Sequence, residues 1–330
     1  MRLAPAALLA LATTTGCHLY FGDGRDDTDA GTWVPDAWLP IDAPWIDAPG
    51  PDASTSFPRP TAPTRANVNT AGAWIDQGLA DWSCLGTPTA DLPSTGSITL
   101  SGRTADWQTG SGLGGAAIVA YAPSTSATVG TGMSASAGAT IGAYTMTLGM
   151  LPASSRRYTF VVRAQDHPGT YLLDQYVPPG ATATRELRAF STSSMGSLSA
   201  SVGSFYNAAN ATVVGDIVDC QGRAVSNAVA VASRVRSQLD PIGGASSFYF
   251  SAGPTSVPVP ITTRPVSNLD GKFMILDVPP ISQGFAIQIL GYRTQAEVDS
   301  GNLRLLGQVW APAIGGTASL VTVEPRRSGN

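Results

Sequence analysis

Cysteine and histidine supply much of the reactive chemistry open to a protein, and this chain of 330 residues carries three of the first and two of the second. Cys17 closes a short leader in which Arg2 is the one cation, residues 3–12 form an apolar run, and Thr13, Thr14, Thr15 and Gly16 precede the thiol. The run is too short to cross a bilayer, which takes about 20 apolar residues. A long acidic, proline-rich stretch follows, so the order is that of a lipid anchor and then a tether. The competing reading is an ordinary secretory cut after Ala10-Leu11-Ala12, which would leave Cys17 as a thiol.

Gly16 and Cys17 are similar to the last two positions of the lipobox of bacterial lipoproteins, while Thr14 stands where that motif usually has Leu. The resemblance implies a signal peptide over residues 1–16, cleavage before Cys17 and diacylglycerol on its thiol. Acyl chains, at about 0.8 kcal/mol per buried CH₂, would hold a soluble domain on a membrane. His18 occupies the position that often steers sorting, and the lack of Asp there favours the outer membrane or cell surface.

With Cys17 acylated, Cys84 and Cys220 remain, and an exported pair reads most simply as one disulfide. It would tie the segment before the first domain to the first turn of the second and is worth roughly 4 to 5 kcal/mol in the chain-entropy model. Two separately buried thiols are the alternative. His18 lies beside the anchor, which leaves His167 in the folded part, within Asp166-His167-Pro168-Gly169. This reads as a turn between strands. As a general base His167 would need a positioned nucleophile, yet no serine stands in a G-x-S-x-G elbow.

Other chemistry is weakly represented. No H-x-x-E or H-E-x-x-H zinc pair exists, and two cysteines with distant histidines do not make a zinc site. The loop Gly110-Ser111-Gly112-Leu113-Gly114-Gly115 lacks the lysine and helix of a phosphate cradle. Asp23, Asp27 and Asp29 are faintly similar to a calcium loop but lack its closing Glu. No cofactor is implied. A formal charge of −4 with 13% charged residues offers no basic face for phosphates, so nucleic acid is excluded as a partner.

The elements around these residues divide the chain. Residues 17–70 carry Asp23, Asp26, Asp27, Asp29, Asp36, Asp42, Asp47 and Asp52 among recurrent prolines, with Trp33, Trp38 and Trp45 interspersed. Such a stretch cannot bury enough apolar surface to offset its ordering entropy and reads as a disordered tether. About 50 residues at about 3.1 Å each would reach on the order of 150 Å when straight, or about 40 Å as a coil. Residues 71–96 read as a connecting segment. In it Trp74, Ile75, Leu79 and Trp82 fall near one helical face and predict a short helix capping the first domain.

Beyond it, short apolar runs separated by Gly and Pro predict strands over 97–103, 116–122, 143–148, 158–165, 171–176 and 184–189 within a domain of residues 97–190. After a bridge at 191–210 rich in Ala, Ser and Gly, a second domain at 211–325 has strands over 212–219, 229–235, 247–251, 272–278, 285–291, 303–309 and 319–323. The expected fold is all-β: two tandem antiparallel β-sandwiches, since each short strand must bury one face against an opposing sheet.

Both halves open alike. Gly102-Arg103 leads to Gly115-Ala116-Ala117-Ile118-Val119, and Gly215-Asp216-Ile217-Val218-Asp219 leads through Cys220-Gln221-Gly222 to Asn227-Ala228-Val229-Ala230-Val231. Later come Gly142-Ala143-Tyr144-Thr145-Met146 and Asp270-Gly271-Lys272-Phe273-Met274-Ile275. These runs suggest a duplicated unit. They resemble the carboxypeptidase regulatory-like domain, an Ig-like, transthyretin-like sandwich with the signature G-x-V-x-D, then G/N-A-x-V, then D/G-G-x-[FY]-x-[FIL]. In the first half Arg103 and Thr104 stand where Val and Asp are expected. Short motifs of this kind imply a fold more than an activity.

The expected role is therefore a non-enzymatic cell-envelope lipoprotein that presents β-sandwich modules for structural or adhesive protein contacts. Its expected partners are a membrane, through Cys17, and an unidentified envelope protein. The alternative is a glycan-binding accessory module for a separate enzyme or transporter. Trp107, Trp310 or the cluster Phe248, Tyr249 and Phe250 would then be the sugar platform, against core packing as the competing reading of each.

Overall fold

Short strands with one apolar face have to be stacked in two layers, and this chain does so twice. The computed structural model describes residues 57–70, 72–89, 91, 96–122, 127–149, 157–178, 180–252 and 256–327. The leader, Cys17 and most of the expected tether lie outside the described residues. A small hairpin comes first, β1 (Val68–Thr70) and β2 (Ala73–Ile75). The first lobe has β3 (Ile98–Asp106), β4 (Ala117–Tyr121), β5 (Thr128–Met133), β6 (Ala143–Leu148), β7 (Arg157–Ala164), β8 (His167–Tyr176) and β9 (Thr182–Ala189). Helix α1 (Thr192–Ser201) leads into β10 (Ala211–Ile217), β11 (Ala228–Ser233), β12 (Ser246–Phe250), β13 (Pro258–Val259), β14 (Lys272–Val278) and β15 (Ile281–Gly291). Helix α2 (Gln295–Ser300), β16 (Arg304–Ala313) and β17 (Ala318–Val323) complete the second lobe. Every strand expected from the sequence is present with ends shifted by a few residues, and β1, β2, β5 and β13 are additions.

One nine-stranded sheet runs through both lobes in the order β13-β12-β14-β10-β17-β8-β7-β4-β5. The three-stranded sheet β6-β3-β9 covers it in the first lobe, and β11-β15-β16 covers it in the second. Between the layers lie two cores, one built around Leu100, Phe160 and Leu187 and the other around Phe273, Phe285 and Ile287. The lobes join where β8 and β17 pair in parallel, Thr170 opposite Ala318 and Leu172 opposite Leu320. Arg157 reinforces the seam: its almost buried guanidinium holds Asp91, Asp174 and, from the far lobe, Glu324 at 2.6, 2.9 and 2.9 Å. The expected all-antiparallel pairing is corrected here. Strand β9 runs parallel to β3 and β17 parallel to β10, because each returns by a crossover from the opposite layer.

The lobes repeat strand for strand. In one, β3 sits between antiparallel β6 and parallel β9, over β4-β7-β8. In the other, β10 sits between antiparallel β14 and parallel β17, over β11-β15-β16. Only the third strand has changed layers, β5 pairing with β4 whereas its counterpart β12 pairs with β14. The shared motifs explain themselves in this frame. Gly102 lies opposite Tyr144 and Gly215 opposite Phe273. A Cβ on Gly215 would come within 2.7 Å of the Phe273 ring, and across Gly102 the Tyr144 hydroxyl donates to the Arg185 carbonyl at 2.9 Å. Gly142 and Gly271 have φ of +86° and +66°, and a Cβ on either would stand 2.6 Å from the carbonyl of Thr104 or Ile217. No side chain fits at either site.

One local expectation fails, and one connecting segment proves to hold a helix. The predicted helix after residue 71 is replaced by the β1–β2 hairpin and an irregular run, in which Gly72 and Gly78 take φ of +88° and +73° and Trp74 projects into solvent. Instead of capping the first domain, this segment and the residues before it pack on the second lobe, Asp81 and Cys84 meeting Asp219 and Cys220. The Thr64 N–H donates to the Tyr292 carbonyl, the Arg65 N–H to that of Ser226, and the Asn227 side chain to the carbonyls of Pro63 and Ala66. The bridge at 191–210 contains α1, capped by the Ser191 hydroxyl accepting from the Ser194 N–H. Met195, Leu198 and Val202 lie along one side of it and press with Phe250, Met274 and Leu276 onto the outer face of the large sheet. Strand β10 is consequently covered on both faces and reads as a nearly unbroken apolar run.

Candidate functional site

The chemistry-bearing residues gather at two equivalent turns, one after β3 and one after β10. Asp219 ends the second G-x-V-x-D motif, and its side chain is fully enclosed. It accepts from the backbone N–H of Gln221 and Arg223 at 3.0 and 2.9 Å, from that of Asp81 at 3.1 Å, and from the Arg223 guanidinium. Burial alone would raise its pKa, but the Arg223 guanidinium and these N–H groups hold it below the usual carboxylate value.

Asp106 performs the same task in the first lobe. It lies four residues after Gly102, as Asp219 lies four after Gly215. The acid expected at Thr104 is supplied by Asp106, at the same distance from the glycine as in the second motif. It accepts from the N–H of Gln108 and Thr109 at 3.0 and 2.7 Å and from the Thr109 hydroxyl. Its second oxygen meets His167 Nε2 at 3.0 Å. Desolvation works to raise its pKa; Thr109 and His167 outweigh it, and the pKa is lowered.

This geometry defines His167. It opens β8 beyond the tight turn in which Asp166 takes φ of +59°, and its other nitrogen lies 2.7 Å from the Gln165 carbonyl. Both ring nitrogens are thus engaged, one by a backbone carbonyl and one by a turn carboxylate whose counterpart is held by arginine. The pair latches β8 to the loop after β3. Nearby Ser194 donates its hydroxyl to the Gln108 side chain, 2.8 Å away.

Cys84 and Cys220 form a disulfide with Cα atoms 5.8 Å apart and 136 residues of separation. It lies beside Asp219: the Cys220 N–H donates to the Asp81 carbonyl at 2.9 Å. The bridge ties the segment before the first lobe to the second, while the lobes themselves are united by β8 and β17. Replacing both cysteines with serine is expected to cost about 2–5 kcal/mol, measured by urea unfolding. A loss under about 1 kcal/mol would mean that packing of residues 57–89 is sufficient without the staple.

The aromatic candidates each have partners within the protein. The Trp107 ring centroid lies 4.6 Å from that of Phe190. Trp310 donates its indole N–H to the Gln283 carbonyl at 3.0 Å, and the Arg236 guanidinium sits 4.7 Å over its ring. In the cluster, Tyr249 and Phe250 are buried, the Tyr249 hydroxyl accepting from the Ala230 N–H and its pKa raised by burial. The loop at 110–115 is a turn within the first lobe, where the Leu113 N–H donates to the Thr104 carbonyl. Among the described residues no three acidic, histidine or cysteine side chains cluster as metal ligands, and no helix is long and apolar enough to cross a membrane. Cys17, His18, the acidic run from Asp23, and Trp33, Trp38 and Trp45 lie outside the described residues. The well-exposed aromatics that are described, Trp74 and Phe205, are ones the sequence did not select as a platform.

No protein-family model matches the chain, and no curated protein does. Solved structures similar to it include the Bacillus anthracis TIE protein, at 10% identity and a TM-score of 0.21 over 70% of this chain and 34% of that one. The shaft pilin SpaA from Lactobacillus rhamnosus GG follows at 9% identity and 0.19, over 70% and 98%. A streptococcal ancillary pilin gives 12% and 0.15, over 70% and 63%. The chain thus spans about a third of the length of the first of these. At such scores the likeness assigns neither activity nor partner.

Proposed function

We propose that this chain is a non-enzymatic cell-envelope lipoprotein, anchored through acylated Cys17, whose two carboxypeptidase regulatory-like lobes make structural or adhesive contacts with another envelope component. The observation that carries this reading is the continuous nine-stranded sheet. At about 4.8 Å per strand it makes a scaffold on the order of 40 Å across, suited to hold loops and edges at fixed separation. The chemistry-bearing residues support it as well: His167 and Asp106 are spent on one another and on the backbone, and Cys84 and Cys220 on a staple.

Replacing Cys17 with alanine is the test. The variant is expected to leave the membrane fraction for the soluble exported fraction, while the native protein carries the mass of diacylglycerol on an N-terminal cysteine. Unchanged fractionation, or an unmodified native start at Thr13, would defeat the anchor. Cross-linking of the full anchored chain in intact envelopes tests the second half of the proposal. It is expected to join a first-lobe loop to one recurrent envelope component, and random labelling of abundant proteins would count against it.

A further inference from the structure

Beyond that role, we infer that the second lobe carries a binding site for a neutral saccharide in the hollow between the end of α1 and the outer end of β14. The hollow is open and about 630 Å³, and its lining includes Phe205, Tyr206, Asn207, Asn210, Gly244 and Asp277. Phe205 is 93% exposed, four residues beyond the end of a helix whose Met195 and Leu198 are packed. A Phe left in water forgoes the gain that burying a large apolar side chain brings, so packing does not account for it.

The wall of the hollow is shaped by an irregularity. Between the pairs Ala211–Val278 and Val213–Ile275 the register of β10 and β14 shifts, setting Leu276 and Asp277 against Thr212. Asp277 sits in this bulge with φ of +60°. A bulge re-aims a side chain, and Asp is one of the residues that enters the left-handed region readily. Here the carboxylate turns towards Asn210, whose side-chain N–H donates to one of its oxygens at 3.3 Å, and both residues line the hollow. Asn207 accepts from the Ala209 N–H with its side-chain oxygen, which frees its NH₂ group. The Tyr206 hydroxyl meets no hydrogen-bond partner among the described residues, and Gly244 leaves space where a side chain would stand.

These groups specify the ligand. A carboxylate and amide oxygens accept from hydroxyls, an amide NH₂ donates to them, and an exposed ring stacks on the apolar C–H face of a sugar. None of the eight lining residues is cationic, which disfavours phosphates, acidic polysaccharides and nucleic acid. The volume lies in the range of small-ligand sites, with room for one or two sugar rings.

The experiment is an NMR titration of the isotope-labelled exported chain with neutral disaccharides of glucose, galactose and N-acetylglucosamine, in both anomeric linkages, at millimolar concentration. At least one is expected to shift the amides of residues 204–210 and 277 in a saturable way. Phe205→Ala is expected to weaken that binding by about tenfold, equivalent to 1.4 kcal/mol. Thermal unfolding should be unchanged in this variant, since the ring packs on little. Asp277→Asn, which retains the side-chain shape, should also weaken binding. The inference is overturned if no disaccharide shifts these amides, if Phe205→Ala binds as the parent does, if the shifts centre on Trp107 or Trp310, or if a lysine-rich peptide shifts the same amides more strongly than any sugar.

Discussion

Asp219→Ala is expected to lower the unfolding free energy by about 3–5 kcal/mol, the range for removing one partner of a buried ion pair. The carboxylate has no exposed side-chain surface and gathers three backbone N–H groups, one of them from Asp81 in the segment before the first lobe. Its loss takes that partner from all three at once, and a donor that water does not reach costs about 1–3 kcal/mol. Partial exposure of Arg223 lets water reach part of the gap and keeps the total from being a simple sum. Urea unfolding with the disulfide intact measures the effect, and a change under about 1 kcal/mol would remove Asp219 from its place as the organiser of the turn.

Acid unfolding supplies an independent check on the same residue. The folded-state pKa of Asp219 is lowered, so its contribution is complete above the unfolded Asp value of about 3.9 and disappears as pH falls through the lower folded value. Asp106 has the same sign. The parent should therefore lose stability more steeply than Asp219→Ala below about pH 4.

Phe273→Ala is expected to cost about 3–5 kcal/mol as well, for a different reason: the ring is fully buried in the second core and leaves a cavity. The accompanying glycine makes the result more informative. Gly215→Ala would push a methyl within 2.6 Å of the Val321 carbonyl and 2.7 Å of the ring, an overpacking cost of about 1–3 kcal/mol. In the double variant one of those obstacles has gone. The two costs should add to less than their sum, and strict additivity would show that the ring does not sit over the glycine.

The strands were legible because their signal is local. Alternation in 143–148, for instance, matches the buried positions of β6, Tyr144, Met146 and Leu148. Strand β5 escaped notice because Gly130 and Gly132 interrupt its pattern, and the structure needs them bare: a Cβ on Gly130 would stand 2.6 Å from the Thr147 carbonyl. Helix α1 was hidden by a small-residue composition, although Ser191 and the spacing of Met195, Leu198 and Val202 announce it. The seam of β8 with β17 and the docking of residues 57–89 on the distant lobe rest on pairs far apart in the chain, which no local pattern encodes. Of the proposed saccharide hollow the sequence shows only Ser204-Phe205-Tyr206-Asn207; the carboxylate that completes it depends on a bulge.

The bond between Cys84 and Cys220 also fixes how the chain bears mechanical load. All strands of the first lobe, β3 to β9, lie within the covalent ring that it closes. Tension applied between an N-terminal attachment and the chain's other end would pass across the sulfur atoms and bypass the ring. Stretched in that direction, the oxidised protein would yield length only from residues before Cys84 and after Cys220, and the first lobe would be shielded from extension until a reductant cut the bridge.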